Sequence, residues 1–313
     1  MNYPISILIQ LIVVLGLAPL VSGIIKKMKA LSQKRIGPPL FQLYYDLYKL
    51  FRKDTVVSET ASWIFKATPY IFFSVTLLAA LFIPVSIRLQ PLSFMGDLIL
   101  AIYLLALGRF FMTLAGLDPG STFGGMGSSR ESMIAALVEP ALMVALLTVA
   151  LTAKSTSIYQ MLTTTSGLGL QILQPVYLLS FLAVFIILIT ETARIPVDDP
   201  ATHLELTMVH EAMLLEYSGK YLALMEYGAA IKQLLLITLL VNLFIPLEGS
   251  LLFTQPLQTI LISLVIYVVK VILMAVLVAI VEINTVKLRL FSVPNLTALA
   301  FILAFLAFFQ QLI

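Results

Sequence analysis

The most constraining feature of the sequence is a series of apolar runs, each long enough to cross a lipid bilayer as one helix. Such a crossing needs about 17 to 25 mostly apolar residues. The mean hydropathy is +1.05 and 11% of the residues are charged, whereas soluble domains carry about 25%. The pattern predicts an all-α integral membrane protein that forms one domain over residues 1–313, with eight transmembrane helices. The runs cover about 5–25, 67–87, 94–116, 132–153, 172–191, 230–248, 256–283 and 294–312.

Several features that the sequence lacks limit which kind of membrane protein this chain can be. The first apolar run lacks a basic start and a small-residue cleavage site, so we interpret it as a retained helix and not as a signal peptide. The chain has no cysteine, so it can form no disulfide and offers no thiolate to an iron–sulfur cluster. Its two histidines, His203 and His210, do not form a zinc motif. We therefore expect no metal or cofactor in this chain, and any redox centre coupled to it must lie in a partner.

The positions of lysine and arginine predict the orientation. Nearly all of them fall in the loops 26–66, 117–131, 192–229 and 284–293, which share one side of the membrane if all eight runs cross it. By the positive-inside rule this side is cytoplasmic and both termini lie outside. We expect a multi-pass protein of the cell membrane. The net charge of +3 then reflects topology and gives no argument for nucleic-acid binding.

A segment between the first two apolar runs has an amphipathic pattern. Residues 40–54, LFQLYYDLYKLFRKD, place leucines at helical spacing and charged residues on the other side. This pattern predicts a helix that lies in the membrane interface. Two interpretations stay open: a simple interfacial anchor, or a helix that docks a partner or lines a channel.

A glycine-rich loop, residues 116–132, lies between the third and fourth runs. It lacks the Gly-Lys-Ser/Thr ending of a phosphate-binding loop. Ser128 and Glu131 have the spacing of a capping box, so they predict the start of the fourth helix.

Charged residues inside the apolar runs are candidate functional residues. Glu139, followed by Pro140, lies seven residues into the fourth run, where a carboxylate costs up to about 2.5 to 3.5 kcal/mol. Either it pairs with Arg109 or Arg130 for packing, or it is a protonatable relay residue.

The seventh run carries Lys270 near its middle and Glu282 near its end, some 18 Å apart along a helix and too far to pair. Lys270 therefore needs a partner on another helix or a water-filled cavity. Asp97 and Glu248 lie at the outer ends of their runs, where we expect them to be solvated.

A mostly polar, acidic stretch, residues 191–219, interrupts the membrane pattern. Glu191 marks the boundary between a membrane helix and water, and Pro196 and Pro200 exclude a helix between them. Thr202 and Glu205 have capping-box spacing, which predicts a helical acidic loop with Glu205 and Glu216 on nearly the same face.

Four motifs are spread over essentially the whole chain: RIGPP, GLDPGSTFGGMGSSRESMIAALVEPAL, ETARIPVDDPATHLELTMVHEAMLLEYSG and VEINTVKLRLFSVPNL. Together they resemble the complex I subunit 1 family, and more closely its hydrogenase branch, the membrane anchors of group 4 membrane-bound nickel–iron hydrogenases and formate hydrogenlyases. Glu191, Arg194, Pro196, Asp198, Pro200 and the ending Glu216-Tyr217-Ser218-Gly219 fit the acidic loop of the respiratory branch as well. Asp199, His203 and the stretch HLELTMVHEAML depart from that loop and look like the hydrogenase branch.

The resemblance implies a membrane-anchoring and coupling subunit that is not itself catalytic. Its partners would be a hydrogenase-like large subunit and an iron–sulfur small subunit on the cytoplasmic side, antiporter-like membrane subunits, and lipid. The nickel–iron-type site and the clusters would lie on those partners, and the chain would link ferredoxin-driven redox chemistry to proton or sodium movement. Candidate ion-coupling residues are Arg109, Arg130, Glu139, Glu191, Lys270 and Glu282. Candidate docking residues are Arg194, Asp198, Asp199, His203, Glu205, His210, Glu211 and Glu216.

Other functions remain open from the sequence. A close relative could anchor a sulfur- or polysulfide-reducing complex, or a quinone-reducing one, because the active-site ligands lie on the partner. A free-standing secondary transporter would use Glu139 and Lys270 for coupling, but the sequence shows no pair of corresponding broken segments and leaves the acidic loop unexplained.

Overall fold

The computed structural model describes residues 3–89, 92–198, 208–246 and 256–312. These ranges form α-helices joined by turns and short 3-10 segments. The helices are α1 (Tyr3–Ser32), α2 (Gln42–Phe51), α3 (Trp63–Phe82), α4 (Asp97–Leu117), α5 (Thr122–Ala153), α6 (Ile158–Gly167), α7 (Pro175–Glu191), α8 (Gly219–Phe244), α9 (Pro256–Asn284) and α10 (Val293–Leu312).

The helical membrane class predicted from the sequence is confirmed. Within the described ranges, α1, α3, α4, α5, α8, α9 and α10 are long and apolar enough to cross a membrane. The predicted span 172–191 corresponds to α7, an apolar helix of 17 residues that follows a 3-10 segment at Gly169–Leu173. It is at the short end of what a bilayer crossing needs, so the count of eight crossings stays a prediction.

Helix α8 occupies the centre of the bundle. Every residue from Ala230 to Phe244 is buried, and α1, α2, α3, α7 and α9 pack around the helix. A helix that is apolar on all sides is stable in such a central position. It nevertheless carries the buried polar residues Lys232, Gln233, Thr238 and Asn242. Because burial of an unpaired polar group is costly, these side chains must bind partners inside the bundle.

The connecting loops meet at one end of the bundle, which we call the loop end; it comprises α2 and residues 52–62, 118–121, 192–198, 208–218 and 285–292. Ser62 binds the carboxylate of Asp118 through its amide (2.7 Å) and its hydroxyl (2.6 Å). The amide of Leu288 donates to the carbonyl of Pro196 (2.8 Å). These bonds join separate loops into one layer over the ends of the helices.

Asp97 lies at the opposite end of the bundle, and the expectation that it is solvated is wrong. It is fully buried, and it accepts hydrogen bonds from the amide of Ile158 (2.7 Å) and the hydroxyl of Ser157 (3.2 Å). The carboxylate therefore caps the start of α6 from a distance of 61 residues along the chain. Glu248 lies outside the described residues.

Helix α5 begins ten residues before the predicted span, so most of the glycine-rich loop is part of this helix. Its N-cap is Ser121, whose hydroxyl accepts the amide of Gly124 (3.2 Å). The capping box predicted at Ser128 is wrong, because the Ser128 hydroxyl lies inside the helix and donates to the carbonyl of Thr113 (2.9 Å). Gly124 lies so close to the carbonyl of Gly116 that a Cβ would collide with it. The glycines thus allow α4 and α5 to approach closely.

The acidic stretch is less helical than its sequence predicts. Residues 192–198 form turns, which confirms that Pro196 excludes a helix there. Between 208 and 218 the structure contains only the 3-10 segment Glu211–Met213, so a continuous helix from Thr202 that carries Glu216 is wrong for this part of the chain. Thr202 lies outside the described residues, as do Asp199, Pro200, His203 and Glu205.

Candidate functional site

Four helices each contribute one charged side chain to a chain of ion pairs in the bundle. Arg109 on α4 has its Nη2 2.7 Å from Oε1 of Glu191, the last residue of α7, and 3.5 Å from Oε1 of Glu139 on α5. Lys232 on α8 places its Nζ 2.7 Å from Oε2 of Glu191. The order Glu139, Arg109, Glu191, Lys232 therefore forms a continuous row of alternating charge, which we call the charge row.

Glu191 is the central member of the charge row and its position explains why it binds two cations. It is buried at the C-terminal end of α7, where the helix dipole disfavours a negative charge. A carboxylate taken out of water is stable only when opposite charges compensate for the lost hydration. Arg109 and Lys232, both buried, provide this compensation.

A second polar network lies beside the charge row. Gln233, next to Lys232 on α8, accepts hydrogen bonds at its Oε1 from Ser22 (2.9 Å) and from Nη2 of Arg194 (2.9 Å). Nη1 of Arg194 lies 3.4 Å from Oε1 of Glu282 on α9. The network connects α1, α8 and α9 to the start of the acidic stretch, and the guanidinium of Arg194 binds inside the protein.

Asp198 holds the two described parts of the acidic stretch together. It is buried, pairs with Nζ of Lys287 (2.8 Å), and accepts the amides of Val209 (2.9 Å) and His210 (3.3 Å). Hydrogen bonds to a charged acceptor are stronger than neutral ones. This single carboxylate thus connects residues 192–198, residues 208–218 and the loop after α9.

The ending Glu216-Tyr217-Ser218-Gly219 attaches the acidic stretch to the segment before α3. The Tyr217 ring stacks on Phe65 with centroids 4.0 Å apart, and its hydroxyl donates to the Phe65 carbonyl (2.9 Å). Burial raises the pKa of Tyr217 above its ordinary value, so the hydroxyl keeps the proton that it donates. The Ser218 hydroxyl binds the amide and the carbonyl of Val56 (2.8 and 2.9 Å).

Gly219 completes this attachment at the start of α8. Its φ of +52° is in the left-handed region, and a Cβ there would collide with the carbonyl of Asp54. Glu216 itself is exposed.

A cavity of about 370 Å³ opens beside the charge row at the loop end. Glu191, Lys232 and Gln233 form part of its wall, and the buried Nε2 of Gln233 has no acceptor among the described residues. The inner face of α2 contributes Asp46 and Lys49. The helix therefore lines a cavity on one face, and both interpretations of the amphipathic segment stay predictions.

A smaller cavity of about 220 Å³ lies in the groove between α4 and α5, and Glu139 lines it. The charge row therefore extends from the loop-end cavity, at Lys232 and Glu191, to this groove, at Glu139. Each member of the row lies within ion-pair distance of the next, so a change of charge at one end alters the electrostatic balance of its neighbours.

The structure separates the other predicted coupling residues from the charge row. Arg130 donates from Nη1 to the carbonyl of Met208 (2.8 Å). Lys270 donates to Oδ1 of Asn242 (3.0 Å) and to the carbonyl of Ile245 (3.3 Å), at the C-terminal end of α8. This place lies about 15 Å along α8 from Lys232. Glu282 pairs with Arg194 as described, while Lys270 binds the far end of α8, so the two residues lie apart, as their spacing predicts.

Sequence reasoning missed two residues of the site, Lys232 and Gln233. Both fall inside the predicted run 230–248 and were not singled out there. Glu226, which lines the loop-end cavity almost two turns earlier on α8, lies in the predicted loop 192–229 and was missed as well. Among the residues that the structure describes, no group of three or more histidine, aspartate or glutamate side chains is placed to hold a metal ion.

The chain is similar in sequence and in fold to known proteins. The sequence model of a family described as "NADH dehydrogenase" matches residues 5–311. Formate hydrogenlyase subunit 4 of Escherichia coli K12 is 37% identical over 305 residues, which cover 97% of each chain. Hydrogenase-4 component C of the same organism is 38% identical over 301 residues, 96% of this chain and 93% of that one. A chain in the structure of the membrane-bound sulfane sulfur reductase, an archaeal respiratory membrane complex, aligns with a TM-score of 0.83 and 24% identity over 98% of this chain and 100% of that one.

Proposed function

Because the chain belongs to the NADH dehydrogenase family, with the complex I subunit 1-like character that its motifs indicate, we propose that it anchors and couples a membrane-bound oxidoreductase of the hydrogenase type. It would attach a peripheral redox arm to the membrane and transmit the arm's chemistry to the movement of protons or sodium ions. The observation that carries the proposal is the charge row, which joins a loop-end cavity to a groove in the membrane part.

The coupling would be electrostatic. A charge change at the loop-end cavity alters the balance between Lys232 and Glu191, and Arg109 then shifts its interaction between Glu191 and Glu139. Nη2 of Arg109 lies 2.7 Å from Glu191 and 3.5 Å from Glu139, so it favours Glu191 in this structure and has Glu139 within ion-pair distance. Glu139 would hold or release a proton in response.

The loop end would face the cytoplasm and bind the arm, with both termini outside, as the distribution of lysine and arginine predicts. Asp198 and Arg194 would hold the acidic stretch in shape, since their side chains bind inside the protein. Exposed Glu216 and half-exposed His210 and Glu211 would form part of the contact surface. Asp199, His203 and Glu205 remain candidates from sequence alone.

The hydrogenase type is preferred to the other members of the family because two hydrogenase-complex subunits share 37% and 38% identity with almost the whole chain. The likeness to the sulfane sulfur reductase chain, at 24% identity, concerns the fold. A quinone-reducing role is less favoured because Asp199, His203 and the stretch HLELTMVHEAML depart from the acidic loop of the respiratory branch.

Purification from native membranes in a mild detergent tests the proposed function. The anchor of a hydrogenase-type complex should bring with it soluble subunits that contain iron and nickel, which elemental analysis of the purified material measures. A free-standing transporter should be obtained alone or as a homo-oligomer without bound metal. Recovery of iron without nickel would favour the sulfur-reducing relatives.

Replacing Glu139 with glutamine tests the coupling role. The amide keeps the shape and hydrogen-bonding capacity of the side chain but cannot release a proton at neutral pH. We expect the complex to assemble and to transfer electrons when uncoupled, while ion translocation in sealed vesicles falls by about 100-fold or more. Glu59→Gln, the same change at an exposed carboxylate outside the acidic stretch, is the matched control and should translocate normally. Normal translocation by E139Q would leave Glu139 with a packing role alone.

A further inference from the structure

Aromatic rings line the seam between α3 and α8 and are open to the outside of the bundle. Tyr70 on α3 and Tyr221 on α8 meet edge to face across the seam, with ring centroids 5.9 Å apart. Further along the helices, Phe73 and Tyr227 meet with centroids 5.5 Å apart. Tyr70 is 55% exposed, and the other three rings are partly exposed. Because both helices are long and apolar enough to cross a membrane, this surface is suited to contact with a lipid.

Two lysines lie at the loop end of this seam and have no counter-charge among the described residues. Lys66 stands one helical turn before Tyr70 on the same face of α3, and Lys220 directly precedes Tyr221 in the first turn of α8. Both are exposed, and no described residue forms an ion pair or a hydrogen bond with either ammonium group. Both helices also begin here, so the positive ends of two helix dipoles point to the loop end. This place is therefore suited to bind an anion.

Two of the ring hydroxyls are also without partners in the part of the chain that the structure describes. The hydroxyls of Tyr70 and Tyr221 bind no described residue, whereas the hydroxyl of Tyr227 donates to the carbonyl of Leu15 (3.0 Å). Helical side chains lean toward the N-terminus of their helix, which for α3 and α8 is the loop end. The side chains of Tyr70 and Tyr221 therefore lean toward the level of the two lysines, and their hydroxyls can donate to the same anion.

Trp63 indicates the depth of this place in the membrane. It is the first residue of α3, is 70% exposed, and lies on the same face as Lys66. Tryptophan at the end of a membrane helix lies at the level of the lipid head groups. The lysines then lie at head-group depth, while Phe73 lies about 10 Å deeper, at the level of the acyl chains. The seam thus combines donors for a phosphate with an apolar surface below them.

We propose that this seam binds one acidic phospholipid. Lys66 and Lys220 hold its phosphate, two tyrosine hydroxyls donate to the phosphate oxygens, and an acyl chain lies along the deeper rings. A head group with net negative charge is preferred to a zwitterionic one, because the lysines repel the cation that a zwitterionic head group also carries. A lysine near a membrane surface favours an acidic lipid by about fivefold, so the pair is expected to give a preference of about tenfold or more. The proposal requires only that the chain spans a membrane, so it does not depend on the proposed function.

Fluorescence of Trp63 tests the proposal, because Trp63 is the only tryptophan in the sequence. The full chain is reconstituted into phosphatidylcholine vesicles that contain increasing fractions of a lipid brominated near its head group, either phosphatidylglycerol or phosphatidylcholine. Bromine quenches the fluorescence of a tryptophan that it contacts, so the two titrations give the relative association constant of the acidic lipid at the seam. We expect a preference of about tenfold or more for phosphatidylglycerol. Equal quenching by the two lipids would overturn the proposal.

Two double variants separate the seam from the general charge of the loop end. The seam pair, Lys66→Gln with Lys220→Gln, should lose most of the preference for phosphatidylglycerol. The control pair, Lys34→Gln with Arg35→Gln, removes the same charge at two exposed positions outside the seam and should keep the preference. If the control pair loses as much preference as the seam pair, surface charge alone attracts the lipid and the proposal is wrong.

Mass spectrometry of the protein purified from native membranes in mild detergent, with the subunits that accompany it, extends the test to the assembled state. The seam pair should retain one acidic phospholipid fewer than the wild type and the control pair. Equal numbers in all three preparations would mean that no such lipid is held at the seam, and would overturn the proposal. Absence of iron-containing subunits from the wild-type preparation would instead contradict the proposed function and leave the vesicle result in force.

Discussion

Replacing Glu191 with glutamine is expected to lower the free energy of unfolding by about 3 to 5 kcal/mol and to abolish ion translocation. The amide would leave Arg109 and Lys232 buried without the negative charge that lies 2.7 Å from each of them. Removal of one partner from a buried ion pair is costly because the remaining charge stays out of water. Loss of the central member would also interrupt the charge row between the two cavities. Thermal unfolding in detergent and vesicle translocation measure the two effects.

Two further variants make the Glu191 prediction specific. Glu191→Asp keeps the charge on a shorter side chain and should retain much of the stability that E191Q loses. Addition of Lys232→Met to E191Q removes one unpaired cation and should recover part of the lost thermal stability, but not translocation. A stable E191Q protein that translocates normally would exclude Glu191 from both roles.

Replacing Asp198 with alanine should detach the peripheral arm. The change removes the acceptor of Lys287 and of the amides of Val209 and His210, at a local cost of about 3 kcal/mol or more. Residues 192–198 and 208–218 would then no longer be held together by the Asp198 carboxylate. The surface that they form would no longer fit the peripheral arm. We expect retention of iron-containing subunits to fall by about tenfold or more, measured as the iron recovered per purified chain.

Limited proteolysis distinguishes the cause of such a loss. Asp198→Ala should expose the acidic stretch to cleavage, whereas Glu216→Ala, at an exposed position of the same stretch, should leave it resistant. If D198A keeps both its resistance and its iron-containing subunits, Asp198 has no part in holding the docking surface. Cross-links from the acidic stretch to no metal-bearing subunit in the intact complex would contradict the docking role itself.

Features that depend on hydropathy and charge could be predicted from the sequence. Runs of apolar residues located the long helices, and Glu139 was singled out because it lies among them, with Arg109 as one of its two predicted partners. Both conclusions need only local composition. The amphipathic α2 was found in the same way, although its inner face turns to a cavity and not to bulk water.

Features that depend on contacts between distant segments could not be predicted. Lys232 was not singled out because no local signal shows that Glu191, 41 residues earlier, would come within 2.7 Å of it. Asp97 was taken as solvated because its partner is the start of α6. The start of α5 was placed too late because close packing of Gly124 on Gly116 stabilises a helical turn that the loop-like composition conceals. In each case tertiary packing overrides the local preference.

The central position of α8 has a consequence for how the chain enters the membrane. A helix with Lys232, Gln233 and Asn242 would be poorly stable as an isolated span in lipid, because each polar group would lack a partner. The partners of its first half, Ser22, Glu191 and Arg194, all precede α8 in the sequence, so they have been synthesised when α8 emerges from the ribosome. At its far end Asn242 donates to the carbonyls of Pro84 and Val85, which also precede α8, and accepts from Lys270, which is made later. Insertion of α8 is therefore supported at both ends by segments already made, and α9 adds the last partner.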